Sequence, residues 1–468
     1  MLKLFNTIRK EKQEFRPINK DEVKMYSCGP TVYNYPHVGN LRAFIFADTL
    51  YRWLKYGEKC NVKWVMNLTD VDDKTIKNSR EKYPKMDEKT ALSKYTLYYE
   101  GVFFDDLAEL NIQKESFFNN PRATEYIEEM KDLTRMIYEK GYAKIIEGSV
   151  FFDLVSYVKS NDYGKLINLD LDNLKTGTRT LSDEIEKENV QDFVLWKGVK
   201  KGEPYWDFEL DGHDLKGRPG WHIECSSMGH AILGLPLDIH TGGVDLTFPH
   251  HENEIAQAQA GYELDTANFW LHNEHLMVDG KKMSKSLGNF YTLADLREKG
   301  FSAEAIRFFF VFNHYGSKVN LSDESLEAAS NTLKNIRNLL SIKKEGSKDI
   351  VDIRDRFYGA MRDDLNTSVA LACMMELLKG DYKKDEVSQF FKEAEDIFGI
   401  YFFEKNVKIP QDIIDLAERR VEAKKQKDYQ LADSLRNEII AKGYELRDTQ
   451  GGYEIKKQGK KLKKELFR

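Results

Sequence analysis

Between Glu22 and Asp70 the chain spells out a strand, a helix and a second strand in succession. EVKMYSCGPTVY, residues 22 to 33, alternates apolar positions and then breaks into a turn rich in Gly and Pro. From Leu41 the pattern LRAFIFADTLYRWLKYG sets Leu41, Phe44, Ile45, Leu50, Trp53 and Leu54 near helical spacing, with Gly57 at the stop. NVKWVMNLTD then returns to an apolar strand. Two strands joined through a helix build a parallel sheet, so this unit commits the chain to the α/β class.

The remaining pattern divides by position. Residues from about 80 to 200 are charged and mixed, with helices such as ATEYIEEMKDLTRMIYEKG, and they read as an insertion. Strand character resumes at 234 to 248 (GLPLDIHTGGVDLTF), followed by a helix, HHENEIAQAQAGYE, that would complete the sheet. Beyond about 300 the pattern is helical. One long helix is expected from 411 to 442, and a strand-like end, YELRDTQGGYEIKK, follows it. A length of 468 residues suits roughly three domains.

Composition decides what the chain is not. Hydrophobic residues at 41% with only 10 Pro exclude disordered and collagen-like classes. Four cysteines, at 28, 60, 225 and 373, are too few and too scattered for a disulfide framework, which points to a reducing, cytoplasmic compartment. No signal peptide or membrane span is expected. The formal charge is −6, yet residues 456 to 468 (KKQGKKLKKELFR) hold seven Lys or Arg against one Glu, so an acidic average conceals a short basic tail suited to a polyanion.

Eight of the ten histidines fall between residues 213 and 275, so that stretch makes special use of imidazole. There His250 and Glu254 stand four apart and share one helical face, whereas His251 pairs in register with Ile255 as a packing face would. With Cys225 upstream and Cys28 at the end of the first strand, two thiolates, an imidazole and a carboxylate would make a tetrahedral zinc site. Without a CxxC pair, spacing leaves open that both Cys are small buried hydrophobes and His250 a helix-start residue. PHVGN, 36 to 40, joins the first strand to the first helix, where free backbone N–H groups favour a phosphate, or where a plain turn suffices. VDGKKMSKSLGN sets Lys281, Lys282 and Lys285 among Gly and Ser, suited to pyrophosphate charge or to a solvated surface loop.

HVGN after a first strand and KMSKS after the last strands, some 240 residues apart, resemble the paired signatures of class I aminoacyl-tRNA synthetases. CGPTVYNYPHVGN, NLTDVDDK, DFVLWK, RPGWHIECSSMG, DIHTGGVDLTFPHHENEIAQ and WLHNEHLMVDGKKMSKSLGN narrow the resemblance to the cysteinyl-tRNA synthetases. Weaker similarity in DDLNTS, KDYQLADSLR and GYELRDT carries it to about 449.

The resemblance implies a Rossmann-type catalytic domain in two halves, residues 1–110 and 201–300, around a connecting insertion at 111–200. A helical domain at 301–405 and a small mixed anticodon-binding domain at 406–468 would follow. It implies one zinc held by Cys28, Cys225, His250 and Glu254. ATP with magnesium would lie near His37, Gly39 and Asn40, with Lys282 and Lys285 on the pyrophosphate. L-cysteine would lie among Thr69, Trp221, His240 and Asp245, and tRNA(Cys) would accept the acyl group. A monomer is expected. Three positions depart from the family pattern: Asn40 stands where HIGH carries a second His, Thr241 where a turn Gly is common, and Ser368 where DDxNTP has Pro. Two rivals share the core. One is a ligase joining cysteine to an amino sugar, similar to the mycothiol ligases, which stop before an anticodon-binding domain; the other is a non-catalytic zinc and RNA-binding protein.

Overall fold

The computed structural model describes residues 1–167, 192–283, 289–403, 410–426, 428–449 and 452–457. It divides into two compact units, Met1–Phe402 and Phe403–Arg468. At the centre of the first lies a four-stranded sheet made of β1 (Val23–Ser27), β2 (Val62–Met66), β3 (Leu237–Gly243) and β4 (Ala267–Asn273). The spatial order is β4-β3-β1-β2 and every pairing is parallel. Met25 of β1 stands opposite Trp64 of β2 and Ile239 of β3, which fixes the register.

The crossover from β1 to β2 is helix α1 (Val38–Arg52), which buries Leu41, Phe44, Ile45 and Leu50. β1 and β2 run to one side of the sheet, β3 and β4 to the other. The chain therefore reverses its strand order between β1 and β3, and the crevice at their carboxyl ends is where an open α/β sheet takes ligands. α2 (Trp221–Leu233) precedes β3, and α3 (Glu252–Tyr262) joins β3 to β4.

A strand buried on both faces is ordinarily an apolar run. All seven residues of β3, LDIHTGG, are buried, yet three of them are polar. Asp238 is satisfied by the backbone N–H groups of Ile18 and Lys24 at 2.6 and 2.7 Å, and Thr241 by Ser27 at 2.7 Å. Thr241 sits inside the strand and not in a turn, so its position calls for no left-handed backbone and a β-branched residue fits it. This corrects the expectation for that position.

The insertion forms an antiparallel sheet from Ala143–Ile146, Ser149–Phe152, Phe193–Gly198 and Gly217–Pro219, its last strand coming from beyond residue 200. Met130, Leu133 and Ile137 of the helix Ile127–Glu139 share one core with Ile223 and Met228 of α2 and Ala256 and Ala260 of α3, so the insertion is packed onto the helices that flank the crevice. Five longer helices between Ala303 and Phe398 complete the unit. Buried Arg307 bolts them to α1: it pairs with Asp48 and donates to the carbonyls of Phe398 and Leu110 at 2.8 Å. Ser368 lies in the first turn of Thr367–Lys379 and donates to the Phe312 carbonyl at 3.1 Å, a structural role.

In the second unit the expected single helix is two, Gln411–Lys425 and Tyr429–Ala441. Asp428 caps the second, accepting from Leu431 N at 3.0 Å, and a capping carboxylate starts a helix instead of continuing one. A hairpin, Tyr444–Thr449 with Gly452–Lys457, closes on the pair around Ile413, Leu416, Leu435, Ile439 and Leu446. The basic tail from 458 onward lies outside the described residues. Among the described residues no helix is long and apolar enough to cross a membrane.

Candidate active site and metal centre

Cys28 follows the last residue of β1. Gly29 behind it donates to Asn67 Oδ1 at 2.9 Å, and a Cβ at Gly29 would land on the Asn67 carbonyl, so only glycine lets the chain turn there. Cys225 comes from α2, and Glu254 from the first turn of α3. His250 lies next to last in a wide turn over Thr247–His251 that precedes α3.

These four side chains, all buried, converge at the crevice. Sγ of Cys28 is 3.6 Å from Sγ of Cys225 and 3.5 Å from Oε1 of Glu254, Cys225 Sγ is 3.5 Å from His250 Nε2, and His250 Nε2 is 3.1 Å from Glu254 Oε1. Zinc bonds of the usual lengths, placed tetrahedrally, separate two sulfurs by about 3.8 Å, a sulfur from N or O by about 3.5 Å, and N from O by about 3.3 Å. Four of the six ligand–ligand separations therefore fall near zinc-tetrahedron edge lengths, and all four ligand atoms lie within 4.8 Å of one another.

Charge points the same way. Burial pushes the Cys28 thiol well up and the Cys225 thiol up, and it holds His250 well down. Among the described residues no Lys or Arg pairs with buried Glu254. A buried carboxylate beside two thiols is costly unless a cation joins them, and a dication converts the thiols to thiolate ligands. A second set, Cys28, His240, His251 and Glu254, also lies within reach of one ion. There, however, His240 Nε2 stands 2.9 Å from Glu254 Oε2, a hydrogen-bond length, and His251 Nε2 is 4.0 Å from Oε1, longer than an edge. His240 and His251 are better placed as partners of the ligands.

His251 departs from the sequence expectation, for it faces the metal set and does not form a packing stripe. Glu254 lies three residues beyond His251 and four beyond His250, and both spacings share a helical face. His251 Nε2 is 3.3 Å from Cys28 Sγ. His222 was also missed: its Nδ1 is 2.9 Å from His250 Nδ1. Burial holds His222 down to about 3, so the ring is neutral and accepts from His250 Nδ1–H, leaving His250 Nε2 as the ligand. The crowding of histidines was the only signal for it.

Of the residues expected in the amino-acid pocket, Trp221 and His240 contact the candidate ligands, through His250 and Glu254 respectively. Thr69 Oγ1 donates to buried Glu224 Oε2 at 2.6 Å, Trp221 stacks on the His250 ring at 4.2 Å, and His240 stacks on Trp270 at 4.5 Å. Asp245, exposed in the turn after β3, leans against Gly243, where a Cβ would collide with it.

At the start of α1, His37 and Asn40 cap each other: Asn40 N donates to His37 Nδ1 at 3.1 Å, and His37 N to Asn40 Oδ1 at 3.4 Å. His37 thus carries its proton on Nε2, a neutral donor. Gly39 N–H and the Asn40 amide NH2 take no partner among the described residues. A Cβ on Gly39 would meet Met283 Cε at 2.9 Å, and Val38 N donates to Tyr291 O at 2.9 Å, so the two signature segments touch. Lys282 lies in a short strand paired with Met277, and Lys285 is outside the described residues.

A reversed-order parallel sheet whose first strand leads through the HVGN segment into its crossover helix, with Met283 beside Gly39, is the arrangement expected of a class I aminoacyl-tRNA synthetase. The family model described as the class I (C) tRNA synthetase catalytic domain matches residues 14–331. Two solved structures share the fold: Mycobacterium tuberculosis methionyl-tRNA synthetase with methionyl-adenylate (15% identity, 81% of this chain and 87% of that one, TM-score 0.55), and the Agrobacterium radiobacter LeuRS–tRNA–LeuAMS complex (10%, 82% and 84%, 0.57). Curated cysteine–tRNA ligases run the full length: that of Brachyspira hyodysenteriae is 42% identical over 97% of this chain and 99% of its own, and that of Leptospira interrogans serovar Lai 40% over 98% and 99%. The chain belongs to the cysteine–tRNA ligase family. These matches extend through the second unit and favour neither the amino-sugar ligase nor the non-catalytic reading.

Proposed function

We propose that the chain activates L-cysteine with ATP to cysteinyl-adenylate and passes the acyl group to the 3′-terminal ribose of tRNA(Cys), selecting cysteine through a zinc held by Cys28, Cys225, His250 and Glu254. The observation that carries this reading is the convergence of those four buried side chains, with ligand atoms within 4.8 Å of one another, in the crevice that also receives the start of α1. Zinc, when bound, supplies a soft Lewis acid that takes a thiol as thiolate, for which the hard hydroxyl of serine is a poor substitute. No editing site is then needed.

The chain's own residues do the rest. Asp245 takes the ammonium group of cysteine, Thr69 and His240 line the pocket, and Trp221 forms its outer wall. Gly39 N–H, Asn40 and His37 Nε2–H hold the phosphates of Mg-ATP at the α1 N-terminus, where the helix dipole favours anions. The cysteine carboxylate then attacks the α-phosphate, the bond to the pyrophosphate oxygen breaks, and Lys282 and Lys285 stabilise the departing charge. No protein nucleophile is required. Asn40 replaces a second imidazole, so this position donates through an amide and carries no cationic role. Free cysteines, three of the four buried, suit a reducing cytoplasm, and the protein acts there as a monomer.

ATP–pyrophosphate exchange with cysteine and with serine, followed by charging of total tRNA, tests the reading. Exchange driven by cysteine alone, then charging, is expected; absent cysteine-dependent exchange refutes it, and exchange without charging returns the amino-sugar ligase. Cys225→Ser should lose both bound zinc and preference for cysteine, and a variant that keeps both by metal analysis and exchange would remove the ligand assignment.

A further inference from the structure

We infer that His251, His272 and Thr7 form a directed hydrogen-bond relay that ends on the Cys28 thiolate and sets how strongly that sulfur donates to the metal. The inference rests on the zinc reading, because the direction of the relay follows from the charge state of Cys28. A thiolate has no proton and can only accept. His251 Nε2, 3.3 Å from Cys28 Sγ, must then carry the ring proton. Its Nδ1 is left as an acceptor, and 2.7 Å away stands His272 Nε2, which must donate. His272 Nδ1 in turn accepts from the Thr7 hydroxyl at 2.8 Å.

Each link sets the next, because an imidazole that donates from one ring nitrogen offers the other as acceptor, and the three separations are all within hydrogen-bond reach. The relay crosses four separate pieces of chain, from the end of β1 through the turn before α3 and strand β4 to the loop after a short N-terminal strand outside the central sheet, Lys3–Asn6. The backbone is shaped to receive it. A Cβ at Gly242 would lie 2.6 Å from His251 Cε1 and 3.1 Å from its Nε2, so the ring occupies the space a side chain on β3 would need. Trp270 flanks the same ring at 5.2 Å.

Packing alone would be served by any flat ring of this size. A hydrogen bond into the sulfur does more: it draws electron density from the thiolate and leaves the metal more of its own charge for a further, incoming sulfur. His251 is thus a positioning residue acting through Cys28, and Thr7 acts at two removes without touching the metal set.

The full-length protein is loaded with Co(II) in place of zinc, and the sulfur-to-cobalt absorption band and the release of metal to a chelator are measured. His251→Leu is expected to move the band to lower energy, because the freed sulfur donates more strongly, and to weaken metal binding about 10- to 100-fold, because Cys28 loses the partner that orients it and that loss outweighs the gain in donation. His251→Gln, whose amide NH2 can still reach the sulfur, recovers most of both. Thr7→Val shifts the band in the same direction by less, and Thr7→Ser does not, a contrast that a space-filling role cannot produce. Unchanged bands and affinities in His251→Leu and Thr7→Val overturn the relay while leaving the zinc reading intact. A wild-type protein that binds no stoichiometric metal overturns both. Should His251→Leu fail to fold, the Thr7→Val and Thr7→Ser pair decides alone.

Discussion

Gly39 shows how much one missing methyl group can matter. It occupies the second position of α1, where Ala is the better helix former by about 1 kcal/mol, so conformation alone predicts that Gly39→Ala stabilises the protein. The contacts predict a functional loss. The new Cβ would lie 3.0 Å from His37 Nδ1 and 2.9 Å from Met283 Cε. Met283 is flexible and yields cheaply, but His37 is held by its bond to Asn40 N and does not. Strain against His37 should therefore cancel the gain in helix propensity, so Gly39→Ala should not raise the melting temperature, and it should raise the KM for ATP in the exchange assay about tenfold, equal to about 1.4 kcal/mol of binding. An unchanged KM would remove the α1 N-terminus from the ATP site. The same neighbourhood marks what the sequence could convey. The positions of Cys28, Cys225, His250 and Glu254 were readable as a candidate set because their residue types are rare and chemically matched. His222 and His251 were not, since a hydrogen bond between two rings from different elements leaves no periodic trace, and for His251 the spacing to Ile255 masked the equally good spacing to Glu254.

At the scale of elements, the strand–helix–strand unit was legible because a buried sheet and an amphipathic helix impose different periods. β3 was legible as a strand within GLPLDIHTGGVDLTF, but how its buried polar residues are satisfied was not, because the pairs of Asp238 and Thr241 are tertiary facts. The break at Asp428 was hidden for the opposite reason, since the flanking residues are all good helix formers and only the cap stops the turn. The helix Glu88–Glu109 makes a prediction of its own. Asp106 is buried on it, and loss of water, aided by Glu109 and Asp105, raises its carboxyl to about 7 against the opposing Arg297. Its folded pKa lies above the unfolded value, so this group favours the folded state at low pH and that advantage fades as pH rises through 7. Asp106→Asn should then match the wild type near pH 4 and exceed it at pH 8, with an upper bound of about 4 kcal/mol from the pKa difference. Thermal unfolding of both proteins across that range checks it, and a difference independent of pH would refute the assignment.

For the whole molecule, the two compact units separate the chemistry from the expected grip on RNA. Every residue proposed for activation lies before Phe402, while the basic excess lies in the last 13 positions, seven Lys or Arg against one Glu. The other 455 residues sum to −12, so long-range attraction for a polyanion falls to that short tail. Phosphates neutralised by Lys and Arg release counterions, and for single-stranded contacts log K falls with log salt by about 0.7 per neutralised phosphate, for duplex contacts by about 0.9. Removal of residues 458–468 takes away five of the seven cations. If about four of those five engage phosphates, the slope for tRNA binding should flatten by about 3. Pyrophosphate exchange, which involves no RNA, should be unchanged at every salt concentration. Binding titrations of tRNA(Cys) at several salt concentrations read the slope directly. An equal slope with and without the tail would mean that tRNA is held by the folded units and that the charge asymmetry visible in the sequence has no part in recognition.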